Sequence, residues 1–195
     1  TEPSRRGGGR SAGLGGGSSD AASTLLALNR LWGLNWPRVR LLPLAQQIGA
    51  DVPFFVGGSN GFVEGTGERL TPIEVPRQWL AVIKPAAGLS TADVFMHPAL
   101  VRDTPSAILA GFLAEATQPC FWQQSWGRND LQPPAEDRCP EVAQAAEWLQ
   151  SKFGNSRMSG SGSAVFARNG MDDQPLVTWP EEAPLPPGWV GRMCR

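Results

Sequence analysis

The first sustained periodicity in the chain begins at Ser18. From there to Trp32, apolar residues recur at Ala21, Leu25, Leu28 and Trp32, behind hydroxyl and carboxylate residues. That spacing predicts an amphipathic helix facing a core, with Ser18 or Ser19 as its N-cap and Gly33 as its stop. A second, shorter helix is predicted over 39–48, ended by Gly49. The run Asp51-Val-Pro-Phe-Phe-Val56 reads as a turn entering a buried strand, Gly57 to Gly61 as a turn, and Phe62-Val63-Glu64 as the returning strand. Gly65-Thr-Gly-Glu68 turns the chain towards Leu70 and Ile73, and Trp79 to Ile83 reads as another buried strand, closed by Pro85. Helices are predicted at 91–96 and 106–116. The clearest later one covers Pro140 to Phe153, with Pro in its first turn, Val142, Ala145, Ala146, Leu149 and Phe153 at helical spacing, and Gly154 at its end. The stretch 118–134 reads as a connection in which Asn129-Asp-Leu131 is compact enough to start a helix. A small-residue loop then leads into a strand at 163–167, and the Pro-rich tail from Pro175 reads as irregular. Strands, hairpin signals and helices together predict an α+β fold.

Composition narrows the chemistry more than the architecture. With 195 residues and 41% hydrophobic content, the chain can build one domain or two small ones. Seventeen basic against 18 acidic residues leave a net charge of −1, so no nucleic-acid partner is expected. No run approaches the roughly 20 apolar residues of a membrane helix, so no membrane association is expected. Cys120, Cys139 and Cys194 form no CxxC pair, which fits a reducing, cytoplasmic setting. His97 is the single histidine, so poly-histidine metal sites are excluded and a Ser-His-Asp triad would depend on this one residue beside Pro98. Hydroxyls, carboxylates and backbone amides are left to carry any chemistry. Residues 1–10 hold no apolar residue and read as a poorly ordered lead-in.

Three segments have the composition of a site. Gly13-Leu-Gly-Gly-Gly-Ser-Ser19 sets glycines and two serines directly before a helix, where backbone amides and the helix dipole can hold an anion; a flexible linker before an ordinary helix is the alternative. It is not a Walker A loop, which ends in Gly-Lys-Ser/Thr, nor a Rossmann fingerprint, which follows a buried strand. Asp51, between Ala50 and Val52 and followed by Pro53, is expected to be poorly solvated and to act on a substrate hydroxyl, or else to cap its own turn. Ser159-Gly-Ser-Gly162 forms a second small-residue loop, which could close over a ligand or simply join helix to strand.

Gly13-Leu-Gly-Gly-Gly-Ser-Ser-Asp-Ala-Ala22, Gly49-Ala-Asp-Val-Pro-Phe-Phe55 and Arg157-Met-Ser-Gly-Ser-Gly162 resemble, in order and spacing, the motif set of the GHMP small-molecule kinases. Phe62 to Glu68, Thr91 to Phe95, Asn129 to Leu131 and Trp189 to Met193 add to the likeness. The resemblance implies a two-lobe fold with an incomplete N-terminal lobe: lead-in 1–12, the remainder of an ATP-binding lobe over 13–75, and a C-terminal lobe over 76–195. It implies transfer of the ATP γ-phosphoryl group, with Mg2+, to a hydroxyl of a cytidine diphosphate-linked polyol. In that reading Gly13, Leu14, Gly15, Gly16, Gly17, Ser18 and Ser19 hold the triphosphate and Ser19 also serves the metal. Asp51 is the catalytic acid/base, Thr91 and Phe95 line the substrate side, and Ser159, Gly160, Ser161 and Gly162 lie near the phosphates. The family's early strand and its catalytic Lys have no counterpart ahead of Thr1. The segment 5–12 and the tail 169–184 also depart from the family pattern. Two alternatives accompany this reading: a related domain that binds nucleotide without catalysis, and a partner-binding domain using the Trp-rich segment Phe121 to Trp126.

Overall fold

The computed structural model describes residues 12–67, 69–105, 111, 127–171, 173–180 and 184–195. The lead-in, nearly all of the helix expected at 106–116, Cys120 and the Trp-rich segment therefore lie outside the described residues. The chain divides into two compact units, one of Gly15–Pro76 and one of the first 14 residues with Arg77–Arg195.

The Gly15–Pro76 unit contains α1 (Gly16–Leu31), α2 (Arg38–Ile48) and α3 (Val52–Gly57), followed by the hairpin β1 (Gly61–Glu64) and β2 (Arg69–Pro72). Ala22 of α1, Leu41 and Ala45 of α2, and Val52 and Val56 of α3 form its core, with Leu25, Leu26, Trp36 and Phe55 packed on the rim. The periodicity of α1 therefore held through Leu25 but not to its end: Trp32 is the C-cap and is 66% exposed. Asp51 to Val56 enters no strand. The run is helical, with Pro in its first turn, where the missing N–H costs nothing. Five apolar residues carry too short a pattern to separate buried strand from buried helix. Consequently β1 does not return along that segment; it pairs with β2, Gly61 opposite Pro72 and Glu64 opposite Arg69.

The other unit is built on an antiparallel sheet of order β4-β5-β3-β6, comprising β3 (Leu80–Lys84), β4 (Arg157–Met158), β5 (Val165–Arg168) and β6 (Val190–Cys194). Among the described residues, helices α4 (Thr91–Phe95), α5 (Gln132–Arg138) and α6 (Pro140–Phe153) belong to it. Strand alternation puts Ala81, Ile83, Val165 and Ala167 in one core with Val142, Ala145 and Leu149 of α6. The helix over 140–153 and the strand near 80–83 match the sequence reading. Part of the tail expected to be irregular is strand β6, whose Val190–Cys194 backbone pairs with Lys84–Leu80. Asn169 secures the turn towards it: its buried carboxamide donates to Val177 O at 2.6 Å and accepts from Val177 N at 2.9 Å. Asn169→Ala strands both backbone groups, so unfolding in urea is expected to show a loss of about 2 kcal/mol.

Candidate functional site

The second Gly/Ser loop is built by hydrogen bonds inside the β-sheet unit. Ser159 N donates to Ala164 O at 2.9 Å and Gly162 N to Ser159 O at 3.0 Å, closing a turn in which Gly160 and Gly162 have φ of 53° and 86°. Ala12 and Gly13 lie against it: Ala164 N donates to Ala12 O at 3.0 Å, and the Ser159 hydroxyl donates to Gly13 O at 2.7 Å. Gly13 itself has φ 68°, and a Cβ there would lie 2.1 Å from the Ser159 carbonyl oxygen. No side chain fits that approach. Thr91, at the start of α4, places Oγ1 2.9 Å from Ser161 Oγ, so a residue expected on the substrate side meets the loop expected near the phosphates. Phe95 lies at the far end of the same short helix, exposed, with its carbonyl oxygen taking a bond from Arg102 at 2.7 Å.

In the Gly15–Pro76 unit, the residue that starts α1 is Gly15, in the left-handed region at φ 67°. This corrects the cap expected at Ser18 or Ser19. Ser18 is the third helical residue, and Ser19 N already donates to Gly15 O at 2.9 Å. A Cβ on Gly15 would fall 2.8 Å from the Phe55 ring, and with φ at 67° both the contact and the backbone favour glycine there. Gly16 and Gly17 are different: a Cβ on either meets nothing within 4 Å. Each costs α1 up to about 1 kcal/mol relative to Ala, and packing does not require it. Their N–H groups and that of Ser18 have no acceptor within the helix. No acidic side chain occupies that first turn. The result is an open, positively polarised helix start with two half-buried hydroxyls, Ser18 and Ser19, beside it.

Asp51 is exposed rather than poorly solvated, which corrects the expectation from its apolar neighbours. It occupies the N-cap position of α3, yet its carboxylate makes no capping bond, so the turn does not consume it. Gly67, at φ 106°, brings the 65–67 turn so close to Ala50 that a Cβ would sit 2.2 Å from the Ala50 carbonyl oxygen. That turn buttresses the residue before Asp51; Gly65-Thr-Gly67 was its only trace in the sequence.

His97 is committed to structure. Its Nδ1 accepts from Ala99 N at 3.2 Å, so the ring proton lies on Nε2, which donates to Asp137 Oδ2 at 3.0 Å. Among the described residues, His97 takes part in no hydrolytic triad. Burial, and then the charge of Arg168, lower the Arg157 pKa; burial also lowers that of Arg168. Both stand on the sheet face away from the core, flanking Phe166. Among the described residues no group of three or more His, Cys, Asp or Glu could hold a metal, and no helix is long and apolar enough to cross a membrane.

The helix start opened by glycines and the second Gly/Ser loop both lie within segments that match known proteins. Residues 9–59 match the GHMP kinases N terminal domain and residues 114–168 match the GHMP kinases C terminal domain. The chain belongs to the GHMP kinases. Its relatives include the 4-diphosphocytidyl-2-C-methyl-D-erythritol kinase of Methylibium petroleiphilum, 60% identical over 94% of this chain and 62% of that protein. The kinase of the same name from Variovorax paradoxus is 48% identical over 94% of this chain and 63% of its own length. A crystal structure of 4-(cytidine 5'-diphospho)-2C-methyl-D-erythritol kinase superposes with a TM-score of 0.62 at 35% identity, covering 85% of this chain and 59% of that one. The chain thus spans about 60% of the length of the curated relatives it matches.

Proposed function

We propose that this chain carries the phosphate-binding and catalytic acid/base segments of an ATP-dependent kinase. Its acceptor is a hydroxyl of 4-diphosphocytidyl-2-C-methyl-D-erythritol, in the non-mevalonate route to isoprenoid precursors. The observation that supports this best is the open start of α1, where Gly16 and Gly17 weaken the helix without filling any packing need. Glycine there lets a phosphate approach the amides closely. Phosphoryl transfer asks for positioning and charge stabilisation more than for covalent chemistry, and amides, hydroxyls and one carboxylate supply both.

In this reading the stretch Gly13 to Ser19 holds the triphosphate through amides such as those of Gly16, Gly17 and Ser18 and through the Ser18 and Ser19 hydroxyls. Asp51 engages the attacking hydroxyl, taking its proton as the phosphoryl group is transferred. Thr91 and Phe95 belong to the acceptor's side. Mg2+ in such enzymes keeps several waters and is bound through one or two side chains plus phosphate oxygens, a mode that suits the Ser19 hydroxyl and needs no cluster of carboxylates. When bound it neutralises charge on the phosphate oxygens.

Calorimetric titration with a non-hydrolysable ATP analogue, with and without Mg2+, tests the nucleotide half of the proposal. Binding that strengthens with Mg2+ is expected, and no heat at millimolar nucleotide would remove it. Gly17→Ala separates ligand from fold. Thermal stability is expected to hold or rise, by up to about 1 kcal/mol of helix propensity. Nucleotide affinity is expected to fall. Unchanged affinity would show that the open space at Gly17 serves no phosphate.

A further inference from the structure

We propose that Asn129 is a positioning residue that aims the Ser161 backbone N–H of the Gly160–Ser161 stretch at an anion. The proposal rests on the expectation that the 159–162 loop lies near the phosphates, and goes beyond it by assigning a direct amide contact and what sets it.

Asn129 lies just before α5, and its Oδ1 accepts from Leu131 N at 3.0 Å. A backbone N–H can only donate, so this bond fixes which end of the carboxamide is oxygen. Nδ2 then spends its two hydrogens on Met158 O at 2.9 Å and Gly160 O at 2.8 Å, one on each side of Ser159. The next residue but two, Gln132, accepts from Met158 N at 2.9 Å through Oε1. The entry to the loop is thereby held at both backbone groups of Met158.

The consequence follows from peptide geometry. In a trans peptide the C=O and the following N–H point in opposite directions. Pulling Gly160 O onto Asn129 therefore turns Ser161 N–H away from Asn129. The loop's other amides are largely consumed: Ser159 N bonds Ala164 O and Gly162 N bonds Ser159 O. Among the described residues neither Gly160 N–H nor Ser161 N–H donates to a protein acceptor. Two successive N–H groups in a glycine-bearing turn, with the Ser161 hydroxyl alongside, form a concavity suited to a phosphate oxygen. Nothing in the sequence spacing reveals this. Asn129 and Gly160 are 31 positions apart.

The test follows backbone amide signals of the 195-residue chain by NMR, with ATP and Mg2+ as the probe. In the unsubstituted chain ATP is expected to shift the Ser161 amide and slow its exchange. The Asn129 side-chain NH2 protons are expected to be protected from exchange before any ligand is added. Asn129→Ala is expected to raise exchange at Gly160 to Gly162 at least tenfold and to weaken ATP binding at least tenfold. Asn129→Asp, which keeps the acceptor for Leu131 N but sets an oxygen against two carbonyls, is expected to do the same. A fall in melting temperature with ATP affinity unchanged would mark Asn129 as structural glue only and overturn the proposal, as would rapid exchange of its NH2 protons in the unsubstituted chain, a readout that does not depend on either variant folding. Absence of any ATP-induced shift in the unsubstituted chain overturns the phosphate reading itself. An equal shift at Ser161 in both chains overturns the role of Asn129 alone.

Discussion

Asp51→Asn is expected to lower phosphoryl transfer by about 10²–10⁴-fold while leaving nucleotide affinity nearly unchanged. The substitution keeps the shape of the side chain and removes its basicity. Asp51 makes no bond to the α3 amides, so the fold loses no cap and α3 keeps its start. The carboxylate is also exposed, so the neutral amide incurs no new burial cost. A large rate effect with a small stability effect is the signature of a residue that acts on the substrate hydroxyl. The measurement is ADP release in the presence of the diphosphocytidyl acceptor. It is made on the 195-residue chain and on a chimera carrying the part of the Methylibium relative that this chain does not span. Equal turnover of the Asp and Asn forms would remove Asp51 from the chemistry.

Gly13→Ala carries the largest structural penalty, with an expected loss of roughly 3 kcal/mol in urea unfolding. Left-handed backbone at φ 68° accounts for about 1–2 kcal/mol of that for a residue with a Cβ. The rest is steric. The new methyl would sit 2.1 Å from Ser159 O and 2.9 Å from Gly162 N, both backbone atoms that no rotamer change can move. Relief requires separating Gly13 from the 159–162 turn, which breaks the bond from the Ser159 hydroxyl to Gly13 O. The contrast with Gly17→Ala is the informative part. Both glycines lie in one short motif, yet one is required by the protein's own backbone and the other leaves room for something outside it. A loss below about 0.5 kcal/mol for Gly13→Ala, the range of ordinary surface changes, would contradict the close approach.

Elements with a long pattern and a local stop were legible without the structure. The helices α2 and α6 follow from apolar spacing closed by Gly49 and Gly154, and β3 from a hydrophobic run closed by Pro85. Errors fell where local information was thin or the deciding partner was remote. Phe54, Phe55 and Val56 fit strand and helix equally well, and packing of Val52 and Val56 against α1 and α2 settled the matter. β6 is extended because β3 offers it a paired edge, with Val82 opposite Arg192, and the Pro-rich tail around it masked that pairing. The start of α1 lies earlier than the serine pattern implied because Gly15 takes a left-handed φ of 67° with no side-chain cap, close against the Phe55 ring.

By itself the sequence set the inventory from which any chemistry must draw: glycine amides before a helix, the Ser18 and Ser19 hydroxyls, a carboxylate at Asp51, and a single imidazole at His97. It also placed them in the order and spacing shared with the GHMP kinases, because short motifs need only local backbone permission. Tertiary structure alone decided which of those groups meet. Gly13 rests on Ser159, Thr91 on Ser161, and Asn129 on Gly160 because a sheet and two helices fold segments from distant parts of the chain onto one turn. Such contacts depend on pairing register and steric fit across long sequence separations, and no local propensity encodes them.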